Sequence, residues 1–198
     1  GIAIYGQGAL IISEGGGEGA LVNALDGGDK AIKYGANNIQ IRGNYIGVGA
    51  DGTEAIGNSG AGIEIEAVTE GYYSEYDSIT ANIIAYNNHG IELVGISVIS
   101  TWINNNTIYS NSEEGIVIEE GAQDGITAPI ITSVNNFVIS GTATAGATVN
   151  IFQDATNQGR YYLGSSTADA VTGDWTFSGL YHPGYNVTAT QFSNEQSS

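Results

Sequence analysis

A short pattern recurs three times in the first half of the chain and constrains its fold more than any other feature. The pattern Ile-x-x-Asn-x-Ile occupies positions 41–46, 79–84 and 103–108. After each copy, a Gly-Ile pair opens a second short apolar segment, at positions 62, 90 and 115. Ile84 and Ile108, which are equivalent in the second and third copies, are 24 residues apart. A repeat of this length with alternating apolar residues predicts a solenoid of stacked β-coils rather than of helices.

Asparagines recur at the corners of the predicted coils. The asparagine side chain hydrogen-bonds backbone groups and tolerates left-handed backbone angles, so it suits a tight turn. Asparagines stacked in successive coils are therefore expected to form ladders that satisfy the buried turn backbone. The predicted ladder residues are Asn44, Asn82 and Asn106 at one corner, and Asn58, Asn87 and Asn111 at another.

A more specific pattern covers positions 43–65. It reads GNYIG at 43–47, DGTEAIGN at 51–58 and GIEI at 62–65. This pattern resembles the right-handed β-helix repeats of bacterial exported proteins, and the likeness extends over residues 1–125. The resemblance implies a short right-handed parallel β-helix, the architecture of the pectate-lyase-like superfamily. That architecture carries lyases, hydrolases, adhesins and inert spacers, so it does not indicate an activity by itself.

The pattern changes after Gly125 to alternating strands separated by turn signals such as Thr172-Gly173-Asp174. Residues 140–149 are interpreted as a hairpin, and short strands at this spacing predict a β-sandwich. Residues 126–198 resemble the bacterial immunoglobulin-like modules that follow β-helices in surface proteins. In those modules a further strand follows the one at 187–190, and here we expect it to be short, missing or supplied by a neighbour. The predicted fold is all-β, with a right-handed parallel β-helix over 1–125 and an immunoglobulin-like β-sandwich over 126–198.

The charge balance excludes several partners. The chain has 4 Lys and Arg residues and 21 Asp and Glu residues, which gives a net charge of −17. No Lys or Arg occurs between Gly43 and Gly159. Nucleic acid and anionic membrane surfaces are not expected as partners, because both require clustered cations. No apolar run reaches the roughly 18 residues of a membrane span. A chain without methionine is expected to be a mature product or a piece of a longer polypeptide.

The candidate catalytic residues are too few for a polysaccharide-degrading enzyme. A lyase requires a Lys or Arg base beside Ca²⁺-binding carboxylates, and the first half offers only Lys30, Lys33 and Arg42. His89 stands alone in an Asn-His-Gly segment, without the clustered aspartates of a glycoside hydrolase, and is expected to be a turn residue. The sequence therefore favours a protein that is not an enzyme, with a lyase or hydrolase as the alternative.

Glu64 and Glu92 form the candidate metal site. They occupy equivalent outward positions in successive coils, about 4.8 Å apart, so a Ca²⁺ ion could bridge them. Solvated carboxylates are the other interpretation. No further cofactor is expected.

Tyrosines and an acidic residue form a candidate glycan-binding loop. Tyr72, Tyr73, Glu75 and Tyr76 alternate phenol rings with a carboxylate, a combination that suits stacking on sugar rings and hydrogen bonding to their hydroxyls. These rings could instead cover the side of the solenoid.

These patterns predict a non-catalytic structural or adhesive protein, extracellular or at the cell surface of a prokaryote. Exposed strand edges at both ends of the chain suggest head-to-tail assembly into a fibre or filament. The partners would be further copies of the chain or neighbouring repeats of the same polypeptide. A carbohydrate-binding module and a polysaccharide-degrading enzyme remain as alternatives.

Overall fold

A computed structural model of the protein describes residues 10–12, 32–33, 38–49, 52–67, 73–135 and 137–193. Within these residues the regular structure is β-strand apart from one short 3-10 helix, η1 (Ala122–Gly125), so the predicted all-β fold is confirmed. The chain divides into two compact units, Gly1–Ile126 and Thr127–Ser198. Each unit is described by itself.

The first unit contains thirteen strands in its described residues, each of two to four residues. In chain order they are β1 (Leu10–Ile12), β2 (Ile32–Lys33), β3 (Gln40–Arg42), β4 (Tyr45–Ile46), β5 (Ile63–Glu66), β6 (Ser74–Glu75), β7 (Ser78–Thr80), β8 (Ile83–Ala85), β9 (Ile91–Val94), β10 (Val98–Ile99), β11 (Trp102–Asn104), β12 (Thr107–Tyr109) and β13 (Ile116–Glu119).

Strands that are distant in sequence lie side by side in parallel sheets. Sheet I has the order β1-β3-β7-β11, sheet II has the order β4-β8-β12, and sheet III has the order β2-β5-β9-β13. A two-stranded parallel sheet pairs β6 with β10. From β3, β4 and β5 onward, consecutive members of sheets I, II and III come from successive copies of the repeat, which is compatible with a β-helix-like fold.

The repeated isoleucines stack in register across each sheet and form the core of the first unit. Their side chains are buried or packed against buried neighbours, and each fully buried isoleucine contributes about 1.5–3 kcal/mol through removal from water. The three columns are Ile41, Ile79 and Ile103 in sheet I, Ile46, Ile84 and Ile108 in sheet II, and Ile63, Ile91 and Ile116 in sheet III.

The described residues of the loop between β4 and β5, 47–49 and 52–57, pack against the side of sheet II that faces away from the isoleucine column. Val48 forms an antiparallel bridge with Ala55, and Val48 is buried together with Ala85 and Tyr109. The hydroxyl of Tyr109 donates a hydrogen bond to the carbonyl of Gly52 at 3.2 Å. This loop therefore gives sheet II a second apolar layer.

Helix η1 closes the last described coil of the first unit. Ala122 is fully buried in the isoleucine core. The side chain of Gln123 accepts a hydrogen bond from the backbone N–H of Thr101 at 3.0 Å and donates one to its carbonyl. These contacts satisfy both the backbone N–H and the carbonyl of Thr101.

The second unit forms two antiparallel three-stranded sheets. Its strands are β14 (Ile130–Asn135), β15 (Val138–Thr142), β16 (Thr148–Asp154), β17 (Tyr161–Thr167), β18 (Asp174–Ser178) and β19 (Asn186–Phe192). One sheet has the order β14-β15-β18 and the other has the order β17-β16-β19. Ile139 and Trp175 from the first sheet pack with Val149 and Ile151 from the second in one core.

The predicted hairpin at 140–149 is wrong. Strand β15 pairs with β14 and β18, whereas β16 pairs with β17 and β19, so the connection crosses from one sheet to the other. The crossing places the apolar faces of both strands in the shared core, and Ala147 within the connection is fully buried. The further strand expected after position 190 would lie partly in residues 194–198, outside the described residues.

Candidate functional site

The first predicted ladder residues are hydrogen-bonded through three coils. The Oδ1 atom of Asn82 accepts hydrogen bonds from the backbone N–H and the Nδ2 of Asn44, at 2.9 and 3.1 Å. Asn106 accepts the same two bonds from Asn82, both at 3.0 Å. All three side chains are buried. Water cannot reach the turn backbone there, so the asparagine amides supply the hydrogen bonds that it would otherwise lack.

The second set of predicted ladder residues repeats this geometry. Asn87 accepts hydrogen bonds from the backbone N–H and Nδ2 of Asn58, at 3.1 and 2.8 Å. Asn111 accepts the same two from Asn87, at 3.0 and 3.2 Å. Asn87 also donates to the carbonyl of Ala85 at 3.1 Å. Both ladders therefore tie neighbouring coils together through buried amides.

Asp77 occupies a third corner, which the sequence analysis did not single out. Its Oδ1 accepts a hydrogen bond from the backbone N–H of Ile39 at 2.8 Å, and its Oδ2 accepts one from the hydroxyl of Ser74 at 2.6 Å. Its side chain is buried, and desolvation raises its pKa from 3.8 to about 6, although both hydrogen bonds lower the pKa. Because the equivalent residues of the other coils are Ile39 and Thr101, no repeated residue type marks this corner in the sequence.

The structure places two of the predicted glycan-binding tyrosines beside this corner. Tyr73 and Tyr76 are 51% and 56% exposed, and Glu75 between them is partly buried. Tyr76 has a left-handed backbone conformation with φ of 59°, which is uncommon for an aromatic residue. The rings are thus accessible, and the turn between them is anchored by Ser74 and Asp77. Tyr72 lies outside the described residues.

The structure brings the two candidate metal-binding carboxylates onto adjacent strands. Glu64 on β5 pairs in register with Glu92 on β9, and Val117 follows on β13. The described part of the chain contains no group of three or more His, Cys, Asp or Glu side chains that could hold a metal ion. Glu64 and Glu92 are therefore adjacent in the sheet, and Ca²⁺ binding there stays a prediction.

The predicted turn residue and the basic residues are spread over separate elements. His89 is partly buried, with its Nδ1 atom 3.3 Å from a carboxylate oxygen of Glu114. Arg42 is exposed at the end of β3. Lys30 and the side chain of Lys33 lie outside what the structure describes.

Trp102 is an exposed aromatic residue that the sequence analysis missed. It is 50% exposed on β11, where Ser78 of β7 is its in-register neighbour. Its alternation with the inward Ile103 could have identified it as an outward residue.

A stack of aromatic and cationic side chains on the second unit was also missed. The rings of Tyr161 and Tyr185 are stacked, with centroids 5.9 Å apart and an angle of 8° between the ring planes. The guanidinium of Arg160 lies 5.3 Å from the centroid of Tyr161, and the His182 ring lies 4.7 Å from that of Tyr185. These residues are near one another because Tyr161 begins β17 and Tyr185 immediately precedes β19, both of which pair with β16.

No protein-family model matches this chain, and a search of curated proteins finds no significant match. Within the described residues, no helix combines the length and the hydrophobicity that crossing a membrane requires.

Proposed function

We propose that the protein is a non-catalytic structural or adhesive scaffold at a prokaryotic cell surface, built from a right-handed parallel β-helix and an immunoglobulin-like sandwich. The two asparagine ladders carry this proposal. They run without interruption through three coils beside stacked isoleucines, so they support a rigid element rather than a mobile one. The prokaryotic surface location rests on the resemblance of the repeat to exported proteins.

Head-to-tail assembly is the form of scaffold that we propose. Strand β19 lies at the edge of its described sheet and pairs only with β16 there, and its Val187 and Ala189 are half-buried in the core. An edge of this kind can accept a further strand from another copy or a neighbouring repeat. Sedimentation velocity and negative-stain electron microscopy over a wide concentration range test the proposal. We expect rods that lengthen with concentration and no release of sugar from polysaccharides, whereas a compact monomer at every concentration would contradict assembly.

Glycan binding is the second candidate function, favoured by the exposed Tyr73 and Tyr76 beside an anchored turn. A glycan array with the wild-type chain, Tyr73→Ala and Tyr76→Ala tests it. Tyr162→Ala is the matched control, because Tyr162 is 51% exposed in the second unit. Retention that is lost in the first two variants and kept in the control would support glycan binding at this corner.

A further inference from the structure

The outer sides of sheets I and III differ in chemistry. On both sheets the residues that alternate with the buried column face outward. On β5, β9 and β13 these residues are mainly carboxylates, namely Glu64, Glu66, Glu92, Val94, Val117 and Glu119. On β3, β7 and β11 they are Gln40, Arg42, Ser78, Thr80, Trp102 and Asn104, and none of these six is acidic.

The six outward residues of β3, β7 and β11 form two rows across the strands. One row contains Gln40, Ser78 and Trp102, and the other contains Arg42, Thr80 and Asn104. Neighbouring residues of a row are about 4.8 Å apart, so each row spans about 10 Å across three strands. The two rows are about 7 Å apart, because they are separated by one inward residue. These six residues form a mainly polar surface with the indole ring of Trp102 at one corner.

The side chains of this surface match the groups of a sugar. A half-exposed indole offers an apolar face on which a pyranose ring can stack. The amides of Gln40 and Asn104 both donate and accept hydrogen bonds, and the guanidinium of Arg42 offers five donors. A ligand-binding surface of this kind needs an apolar platform with a few placed polar groups.

Charge decides which glycan suits the surface. The chain has a net charge of −17, and the only charged residue among the six is Arg42. A polyanionic glycan would be repelled by the net negative charge of the chain. A neutral glycan is not repelled and still receives hydrogen bonds from Arg42.

We propose that the outer side of β3, β7 and β11 binds a neutral glycan, with one pyranose ring on Trp102 beside Asn104 and with the hydroxyls of the following sugar units on Thr80 and Arg42. This proposal rests on the glycan-binding function proposed above. It places the binding site on sheet I, away from the corner at Tyr73 and Tyr76, and it names neutral glycans as the class of ligand.

Isothermal titration calorimetry of the full chain with cellohexaose, xylohexaose and chitohexaose tests the proposal, with an alginate hexasaccharide as the anionic comparison. We expect at least one neutral hexasaccharide to bind, Trp102→Ala to weaken its binding about tenfold or more, and Trp102→Phe to weaken it less. Asn104→Ala should also weaken binding, which provides a second variant if Trp102→Ala fails to fold. Val117→Ala, on the outer side of sheet III, is the control and should bind as the wild type does.

The outcomes separate the site from the function. Binding that is lost in Tyr73→Ala but unchanged in Trp102→Ala and Asn104→Ala would overturn the site and leave glycan binding standing. Binding of the alginate hexasaccharide alone would overturn the class of ligand. If the wild-type chain binds no hexasaccharide in the calorimeter and retains no glycan on the array, both the site and the glycan-binding function are overturned.

Discussion

The carboxylate of Asp77 accepts a hydrogen bond from the backbone N–H of Ile39 at 2.8 Å, across 38 positions of the sequence. Asn82 does the same for Asn44 at the next corner, also across 38 positions. An acid thus takes the place that an amide holds at the other corners. Unlike an amide, it carries a charge that burial disfavours.

This difference predicts that Asp77 makes stability depend on pH. The pKa of Asp77 is about 6 in the folded chain and 3.8 as a reference for the unfolded chain, so between these values the folded state holds the proton more tightly. The contribution of Asp77 to the free energy of unfolding therefore falls by about 3 kcal/mol as pH rises from about 4 to about 6 and stays low above that. We expect Asp77→Asn to be more stable than the wild type by up to this amount at pH 7.5, and nearly equal to it at pH 4.

Urea unfolding followed by circular dichroism at several pH values measures this difference. Asn88→Ala, at a partly exposed position of the same unit without a titratable side chain, is the control, and its difference from the wild type should not change with pH. A difference between Asp77→Asn and the wild type that does not change with pH would contradict the assigned role of the carboxylate.

The contrast between the corners also explains what could be predicted from the sequence. The asparagine corners are visible because one residue type recurs at the same place in each copy of the pattern, although Asn44 and Asn82 are 38 residues apart and Asn82 and Asn106 are 24 apart. The isoleucine columns are visible for the same reason. The corner at Ile39, Asp77 and Thr101 is invisible because each coil satisfies its backbone with different side chains. Only the three-dimensional structure shows that the side chains of Asp77 and Gln123 both accept a hydrogen bond from a backbone N–H at this corner.

Strand pairing in the second unit shows a different limit. Alternation correctly suggests that strands lie on both sides of the segment at 143–147. The alternation of apolar residues is the same, however, whether two strands pair in one sheet or face each other across a core. The packing of Ile139 with Val149 selects the second arrangement. That information lies in contacts between strands and not in the local pattern.

Asn87→Ala is expected to lower the free energy of unfolding by about 3 kcal/mol. The substitution removes the acceptor of two buried donors of Asn58, and each unsatisfied buried donor costs about 1–3 kcal/mol. Asn88→Ala is the matched control, since Asn88 is the adjacent asparagine and is partly exposed. We expect that control to change stability by about 0.5 kcal/mol or less in the same urea titration. Equal losses in both variants would show that the ladder contributes nothing specific.

Ala81→Gly is expected to stabilise the chain. Ala81 has a left-handed backbone with φ of 55°, and the equivalent residue of the preceding coil is Gly43, with φ of 68°. Relief of this strain contributes about 1 kcal/mol, reduced somewhat by the greater freedom of glycine in the unfolded chain. The control is Ala55→Gly, at an exposed alanine without a positive φ, which should lose stability instead. Thermal unfolding midpoints that fall in both variants would contradict the prediction.

Gly141→Ala is expected to disrupt the second unit. A methyl group at this position would lie 1.9 Å from the carbonyl oxygen of Ile130 and 2.7 Å from the ring of Trp175, so β14 and β18 would have to move apart. Forced movement of backbone on both sides costs about 3 kcal/mol or more. Trp175 is buried and provides the measurement, because its fluorescence emission should shift to longer wavelength when the core opens.

The measurement needs a background in which Trp175 is the only tryptophan, and Trp102→Phe provides it. Gly146→Ala is the control, since a methyl group there meets no atom within 4 Å and incurs only the strain of a φ of 76°. We expect that variant to keep the emission of the background and to lose about 1 kcal/mol. If Gly141→Ala lost no more stability than Gly146→Ala, the close approach of Ile130 and Trp175 to the backbone of β15 would not be needed to hold β14, β15 and β18 together.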